Sequence, residues 1–396
     1  MSLYYKQPKY YDKFKCIGGA CPVTCCGYWR IDWLQEEIER LKEKDCSEEL
    51  KSLIDTSFEE VENAPVDNLH AIRLNEDCKC PLQDADGLCR VQKELGEEYL
   101  SGTCAVYPRK FFWHRDAFIR SCHSSCPAVL DLLSEDVNAL RLENRKTEKE
   151  LKMRTSTGRD SSEMIKNNPE LGYRIQLMEF YNSVITCRGV SLETAVVLGA
   201  LASKHFADAV GHDKYDEIPK IIAEYEKKLH DRSVISAIEE IKPNPAVQFK
   251  FVNNLLLTYF EGSNIHINIS NLHDGEKVIP ERYNEGKKNL EEAFGGREYF
   301  FKNLAANMLL EQRVPFYIKD VSILENYSYF ALTVAATKLI SISAALNAEN
   351  VERDVKCKIA VLSRVMAHNA SKAKDIVEDM KKHGFTSAAH IALFIK

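Results

Sequence analysis

The chain has 396 residues, 45% of them apolar and 28% charged, with a net charge of −6. A chain this long buries a core without covalent staples, so small-domain disulfide logic does not apply, and its acidic balance disfavours general nucleic-acid affinity. The start Met1-Ser-Leu-Tyr-Tyr-Lys lacks an apolar signal region, and no window of about 18 apolar residues offers a membrane span. The expectation is a cytoplasmic protein with neither nucleic-acid nor membrane partners, in a compartment where thiols stay reduced.

Three zones follow in chain order. Residues 1–135 hold the clustered cysteines and all three tryptophans, Trp29, Trp33 and Trp113. Phe111–Ile119 is a weak strand candidate. Residues 136–170 are charged and polar, as at 141–150 and 156–162, and read as a solvated helix running into a loop. Residues 171–396 read as a helical domain. Apolar residues recur at helical spacing over 219–241, 298–311, 326–347 and 356–382. The second of these stops before Pro315, and Gly384 is a stop signal for the last. Residues 265–270 (Ile-His-Ile-Asn-Ile-Ser) are the best strand candidate. The expected fold class is mainly α: an N-terminal, cysteine-rich, loop-rich metal-binding domain followed by a larger all-helical one.

Eleven of thirteen cysteines lie in the first 126 residues, and ten of them read as one pattern: Cys16, Cys21, Cys25, Cys26, Cys78, Cys80, Cys89, Cys104, Cys122 and Cys126. Thiolates at this density hold a soft metal, either zinc or an iron–sulfur cluster. Glycines and prolines flank them, as expected of turn-rich loops that bring distant side chains together. No two cysteines are separated by two residues, which argues against Cys-x-x-Cys redox sites and ordinary zinc ribbons. A Cys-x3-Cys-x2-Cys cluster motif is absent too, since Tyr28 and Val129 stand where its third cysteine would fall. Eight to ten thiolates fill one or two four-coordinate sites of either metal type. Cys46, Cys187 and Cys357 sit in helical contexts and read as core or surface residues. His114 and His123 are further candidate ligands that the cysteines make unnecessary.

The order of these residues resembles a known family. The first block is Phe14-Lys-Cys16-Ile-Gly-Gly-Ala-Cys21-Pro-Val-Thr-Cys25-Cys26-Gly-Tyr-Trp29-Arg-Ile-Asp32. Cys80-Pro81-Leu82, Gly87-Leu-Cys89, Leu95-Gly-Glu97, Thr103-Cys104, Tyr107-Pro108-Arg109 and Ser125-Cys126-Pro127 follow. The pattern is similar to the zinc- or iron-chelating Cys-x-x-Cys-x-x-Cys-Cys domain, and more closely to flagellin lysine N-methylases. A fainter echo runs through Asn303, Asn307, Pro315-Phe316 and His368-Asn369. The resemblance implies metal ligation by Cys16, Cys21, Cys25, Cys26, Cys80, Cys89, Cys104 and Cys126, with Cys78 and Cys122 as additions to the pattern. A 4Fe-4S cluster is favoured over zinc. It also implies methyl transfer from S-adenosylmethionine to lysine amines of flagellin. The alternative is a non-catalytic metal-binding or delivery protein, and a third reading is a redox enzyme.

Polar methyl transfer needs a neutral amine. The free lysine amine has a pKa of about 10.4, so the site must favour deprotonation by roughly 4–5 kcal/mol at neutral pH. Aromatic walls and a proton acceptor serve this, and aromatic faces also attract a sulfonium. No Gly-x-Gly-x-x-Gly loop opens a βαβ unit, so a dinucleotide-type donor fold is not expected. Asp32 and Tyr107 are candidate catalytic residues. Trp29, Trp33 and Arg109 are candidate donor contacts, with Tyr28 and Trp113 as further aromatic walls. Each also has a plain structural reading: Trp29 and Trp33 as a packing pair four apart on a helix, Asp32 as partner of Arg30, and Arg109 as a charge beside the thiols.

Overall fold

The computed structural model describes residues 3–62, 64, 68–115, 117–147, 158–260, 269–275, 277–367 and 370–396. The strand candidate at 265–268 and the His368-Asn369 pair lie outside the described residues. Two apolar cores form. The smaller gathers Ile31, Trp33, Ile38, Leu41, Leu50 and Val91, with Cys80 among them. It lies under a three-stranded antiparallel sheet ordered β2-β4-β3, made of β2 (Asp32–Leu34), β3 (Phe58–Glu60) and β4 (Leu69–Ile72). Trp33 therefore sits in a strand, and Trp29 lies in the loop before it. The two tryptophans do not share a helix.

The larger core joins the helical body to a five-stranded sheet. That sheet runs β7-β1-β6-β5-β8, where β1 is Leu3–Pro8, β5 Arg109–His114, β6 Ala117–Cys122, β7 Leu142–Thr147 and β8 Gly158–Asp160. The Phe111–Ile119 signal is the turn and inner halves of the β5–β6 hairpin, in register from Arg109↔Cys122 to His114↔Ala117. The helix expected within 136–170 is not formed at 142–147. That segment is an edge strand, antiparallel to β1. Its Glu143, Arg145 and Lys146 suit an edge, where charge blocks further strand pairing. Helical charge pattern and charged edge look alike in sequence, and pairing with β1 decides between them.

The helical expectations elsewhere hold with local breaks. Residues 219–241 form two helices, Ile218–Lys228 and Arg232–Glu239, the second begun by Asp231, whose side chain accepts from the Ser233 amide. The 298–311 pattern is the helix Tyr299–Glu311, and the 326–347 pattern is Ile323–Ala344. Ser322 and Glu325 start the latter with a reciprocal capping box. It is buried on nearly every face, at the centre of the body. The chain after it divides into Val351–Ala367 and Ala370–Lys382.

One stripe of the Tyr299–Glu311 helix fastens this body to the sheet. Asn303, Asn307 and Glu311 lie four apart, so they share a face. The Asn303 amide donates to the carbonyls of Leu133 and Asp136, both at 2.9 Å. The Asn307 amide donates to the Cys122 carbonyl and Ser124 Oγ, both at 2.9 Å, and Asn307 Oδ1 accepts from Tyr10 at 2.6 Å. Glu311 accepts from the Ser124 amide at 2.8 Å. The asparagines that stood out in the sequence are thus the polar seam between strand-bearing and helical parts.

Candidate functional site

The thiols fall into neighbourhoods. Cys26, Cys80, Cys89 and Cys104 all lie within electrostatic reach of one another. Cys16, Cys21 and Cys126 form a second group, with Cys122 beside Cys126 and Cys357 beside Cys21. Cys25 belongs with the first group, since its thiol donates to Cys26 and lies near Cys104, and Cys21 lies within reach of Cys26 across the two groups. That hydrogen bond holds Cys26 below the usual thiol range, against the opposing effect of burial. Burial instead pushes Cys80 up to about 12 and Cys104 further still. Gly27 makes a close backbone approach, pairing with Lys79; a Cβ there would stand 2.5 Å from the Cys78 carbonyl oxygen. Cys122 belongs to the larger core, under the seam, and Cys78 sits on the loop behind Gly27. Among the described residues, no group of three or more His, Cys, Asp or Glu side chains is arranged around a metal-sized point. The donor type is nonetheless that of a soft metal, because four half-buried or buried thiols lie within electrostatic reach of one another.

The loop carrying Cys21, Cys25 and Cys26 is docked on the helical body by a residue the sequence reading missed. Arg364, buried on the Val351–Ala367 helix, donates to the carbonyls of Thr24 at 2.7 Å and Val23 at 3.3 Å. In sequence it reads as one more cation on an amphipathic helix.

The other predicted residues are dispersed. Trp33 is buried in the smaller core against Phe58. The Trp29 indole donates to the Cys25 carbonyl at 2.7 Å and packs on Tyr107 at 5.5 Å. The Tyr107 hydroxyl meets Ser125 Oγ at 2.9 Å, and burial raises its pKa. Asp32 pairs with Arg30 at 2.7 Å. Arg109 lies over the Phe14 ring and near Cys122. Trp113 packs edge-on against Phe118, with centroids 4.1 Å apart. Tyr28 and Trp29 line a shallow groove with Arg30, Glu59, Glu60 and Arg73. His114 is committed to Asp160 at 2.8 Å, and His123 approaches Glu311 at 3.5 Å.

A second site lies in the helical body. A cavity of about 510 Å³ opens between the starts of the helices Leu192–Gly211 and Tyr299–Glu311, the end of Pro280–Ala293 and the middle of Ile323–Ala344. This volume is in the range of small-molecule pockets. Its floor is apolar, built from Leu290, Phe294, Phe301, Leu304, Met308 and Val334. Inside, Glu193 pairs with Lys338 at 2.7 Å. Burial opposes ionisation of Glu193, but the Lys338 ammonium outweighs it and holds the carboxyl below its ordinary range. Glu291 and Glu298 stand exposed at the lip. No sequence motif marks this pocket, because its residues come from four helices and read individually as core or solvated faces.

The molecule is thus a thiol-rich lobe docked through Arg364 on a helical body that holds a ligand-sized pocket. The family model described as "FliB lysine N-methylase C-terminal domain" matches residues 179–394, more than half the chain, and the chain belongs to that family. It is 28% identical over 153 residues to the flagellar biosynthetic protein FliU of Salmonella muenchen, covering 36% of this chain and 83% of that one. It is 29% identical over 143 residues to the lysine-N-methylases of Salmonella typhimurium and Salmonella choleraesuis, covering 35% of this chain. The match spans 34% of the length of those two enzymes. No solved structure matches. Among the described residues, no helix is long and apolar enough to cross a membrane.

Proposed function

We propose that this chain is a protein-lysine N-methyltransferase that transfers methyl from S-adenosylmethionine to lysine amines of flagellin in the cytoplasm. The family match over residues 179–394 carries the reading, and the kinship to a flagellar biosynthetic protein supports flagellin as the substrate. In the reaction the lysine Nζ lone pair forms the new N–C bond. The methyl–sulfur bond breaks, its electron pair returns to sulfur as a neutral thioether, and the methylated nitrogen loses a proton to water. The protein's task is to desolvate the amine and hold it in line, since binding in a low-dielectric site favours the neutral base.

The thiols serve a structural metal, a 4Fe-4S cluster or zinc. Cys26, Cys80, Cys89 and Cys104, with Cys25 beside them, are the first ligand set, and Cys16, Cys21 and Cys126 belong to the second. When bound, the metal supplies a cross-link among loops that carry little other regular structure. Support comes from the mutual proximity of the first four thiols. The test is mass spectrometry of cognate flagellin after incubation with S-adenosylmethionine and protein purified without oxygen. Methyl increments on lysines are expected. Unmodified flagellin, from protein carrying its full metal complement, would instead mark a metal-binding or delivery protein.

A further inference from the structure

We infer that the 510 Å³ pocket of the helical body is the methyl-donor site, taking S-adenosylmethionine and releasing its thioether product. The inference rests on the methylase reading and deepens it by placing the donor away from the thiol lobe.

The donor has three chemically distinct parts: a flat aromatic base, a sulfonium, and an amino-acid head with a carboxylate. The pocket offers a surface for each. Phe294 and Phe301 pack on each other with ring centroids 5.2 Å apart and, with Leu290, Leu304 and Met308, form an apolar wall against which a flat heterocycle can lie. At another wall the chain turns from Arg188 through Gly189 into the helix Leu192–Gly211, whose N-terminus carries the positive end of a 20-residue dipole. Lys302 donates to the carbonyls of Cys187 and Val190, so the oxygens of this turn are occupied. Gly189 has φ +80, and a Cβ there would meet no atom within 4 Å, so the backbone itself faces open space. Ser191 already caps this helix by accepting from the Thr194 amide, so the groups left to meet a carboxylate are the exposed turn at Gly189 and the cationic Arg188 and Lys302 beside it. The third surface is the lip. Glu291 and Glu298 place negative charge where a sulfonium and an incoming lysine ammonium would meet, and the Phe301 face adds cation attraction. The interior carboxylate, Glu193, is neutralised by Lys338, and Glu291 faces Lys287 at 3.7 Å, so Glu298 is the lip carboxylate with no ion pair among the described residues.

Position supports the same assignment. Every lining residue except Val137 falls within 179–394, the span that defines the family. The groove beside Tyr28 and Trp29 is wholly outside it. The seam of Asn303 and Asn307 lies on the same helix as Tyr299, Phe301 and Lys302, so docking of the strand-bearing part fixes one pocket wall.

The experiment is ultraviolet cross-linking of methyl-labelled S-adenosylmethionine to the intact chain, with peptide mapping, beside calorimetric titration of Phe301→Ala and Glu298→Gln. Label on peptides spanning 186–193 or 290–308, with Kd raised about tenfold or more in Phe301→Ala, is the expected result. Label on the Trp29 or Tyr107 peptides, with flagellin still methylated, would overturn the placement and leave the methylase reading intact. A chain that neither binds the donor nor methylates flagellin would overturn both. Mapping on the unaltered chain needs no variant to fold, and Glu298→Gln, at an exposed site, should weaken binding without lowering Tm.

Discussion

Lys110 gives the sharpest test of the buried electrostatics. It sits on β5 with its ammonium donating to the Glu311 carbonyl at 2.6 Å, at the end of the Tyr299–Glu311 helix. Burial first, and then the neighbouring Arg313 charge, lower its pKa from 10.5 to about 8, with Glu311 working the other way. Below pH 8 the amine is protonated in both folded and unfolded chains, and the native state carries the full penalty. Between pH 8 and 10.5 the unfolded chain holds the extra proton, so native stability rises with pH. Above 10.5 both are neutral and the penalty is gone. A shift of this size corresponds to about 3 kcal/mol. Lys110→Met removes the penalty and forfeits a charged hydrogen bond of about 1.5–3 kcal/mol, so at pH 7 the two proteins should differ little. Urea unfolding followed by circular dichroism at pH 7 and again near pH 10 checks this. The wild type should gain about 2–3 kcal/mol on the variant across that interval, since every other titration is common to both. A difference that stays flat with pH would show that Lys110 is solvated in the native state and refute the reasoning.

Other consequences are open to measurement. Asn307→Leu strips partners from Tyr10, the Cys122 carbonyl and Ser124 at once. It should cost about 3–4 kcal/mol, read as a lowered denaturation midpoint with unchanged m-value. Gly27→Val forces a Cβ to 2.5 Å from the Cys78 oxygen and should open the loop to limited proteolysis near residue 27. Cys104→Ser should lower metal per chain, measured by elemental mass spectrometry, and lower solubility with it. Cys187→Ser, far along the chain at the end of the Arg174–Thr186 helix, should leave the metal content unchanged.

How far the sequence led differs by element. The Tyr299–Glu311 helix was legible to within a residue, because tertiary burial and 3.6-residue periodicity agree there. The break at 229–231 was not, since apolar spacing continues across it and only the Asp231 cap interrupts the helix. The Leu142–Thr147 strand was misread as helix, because a charged edge carries no alternation and only its partner β1 reveals it. At the site, the cysteines were visible as chemistry, but their division into groups was not. It depends on which loops fold back, and Cys26 joins Cys80, Cys89 and Cys104 across as many as 78 positions. Asp160 lay unnoticed in the charged stretch, yet it is buried between His114 and Arg174 and ties that stretch into the larger core. The donor pocket was invisible for a related reason: single residues from four helices have no spacing to read.

Arg364 explains why a thiol lobe and a helical body belong in one chain. A metal held by four thiolates carries excess negative charge, and burying it demands a nearby cation. The lobe's own cations near these thiols are few. Arg109 sits over Phe14 by Cys122, and Arg30 is spent on Asp32. Arg364 supplies that cation from the body. Its guanidinium acts on Cys21, Cys25, Cys26 and Tyr107 together, while its N–H groups close on the Val23 and Thr24 carbonyls. Such a planar fork does what a lysine cannot, holding two backbone oxygens while leaving its charge toward the sulfurs. In the proposed metal-bound state the cation stabilises the thiolates and the thiolates anchor the helix, so ligand loss in the lobe loosens the Val351–Ala367 helix. That helix packs on Ile323–Ala344, which forms one wall of the pocket. On that proposal, metal content and donor binding are coupled through packing.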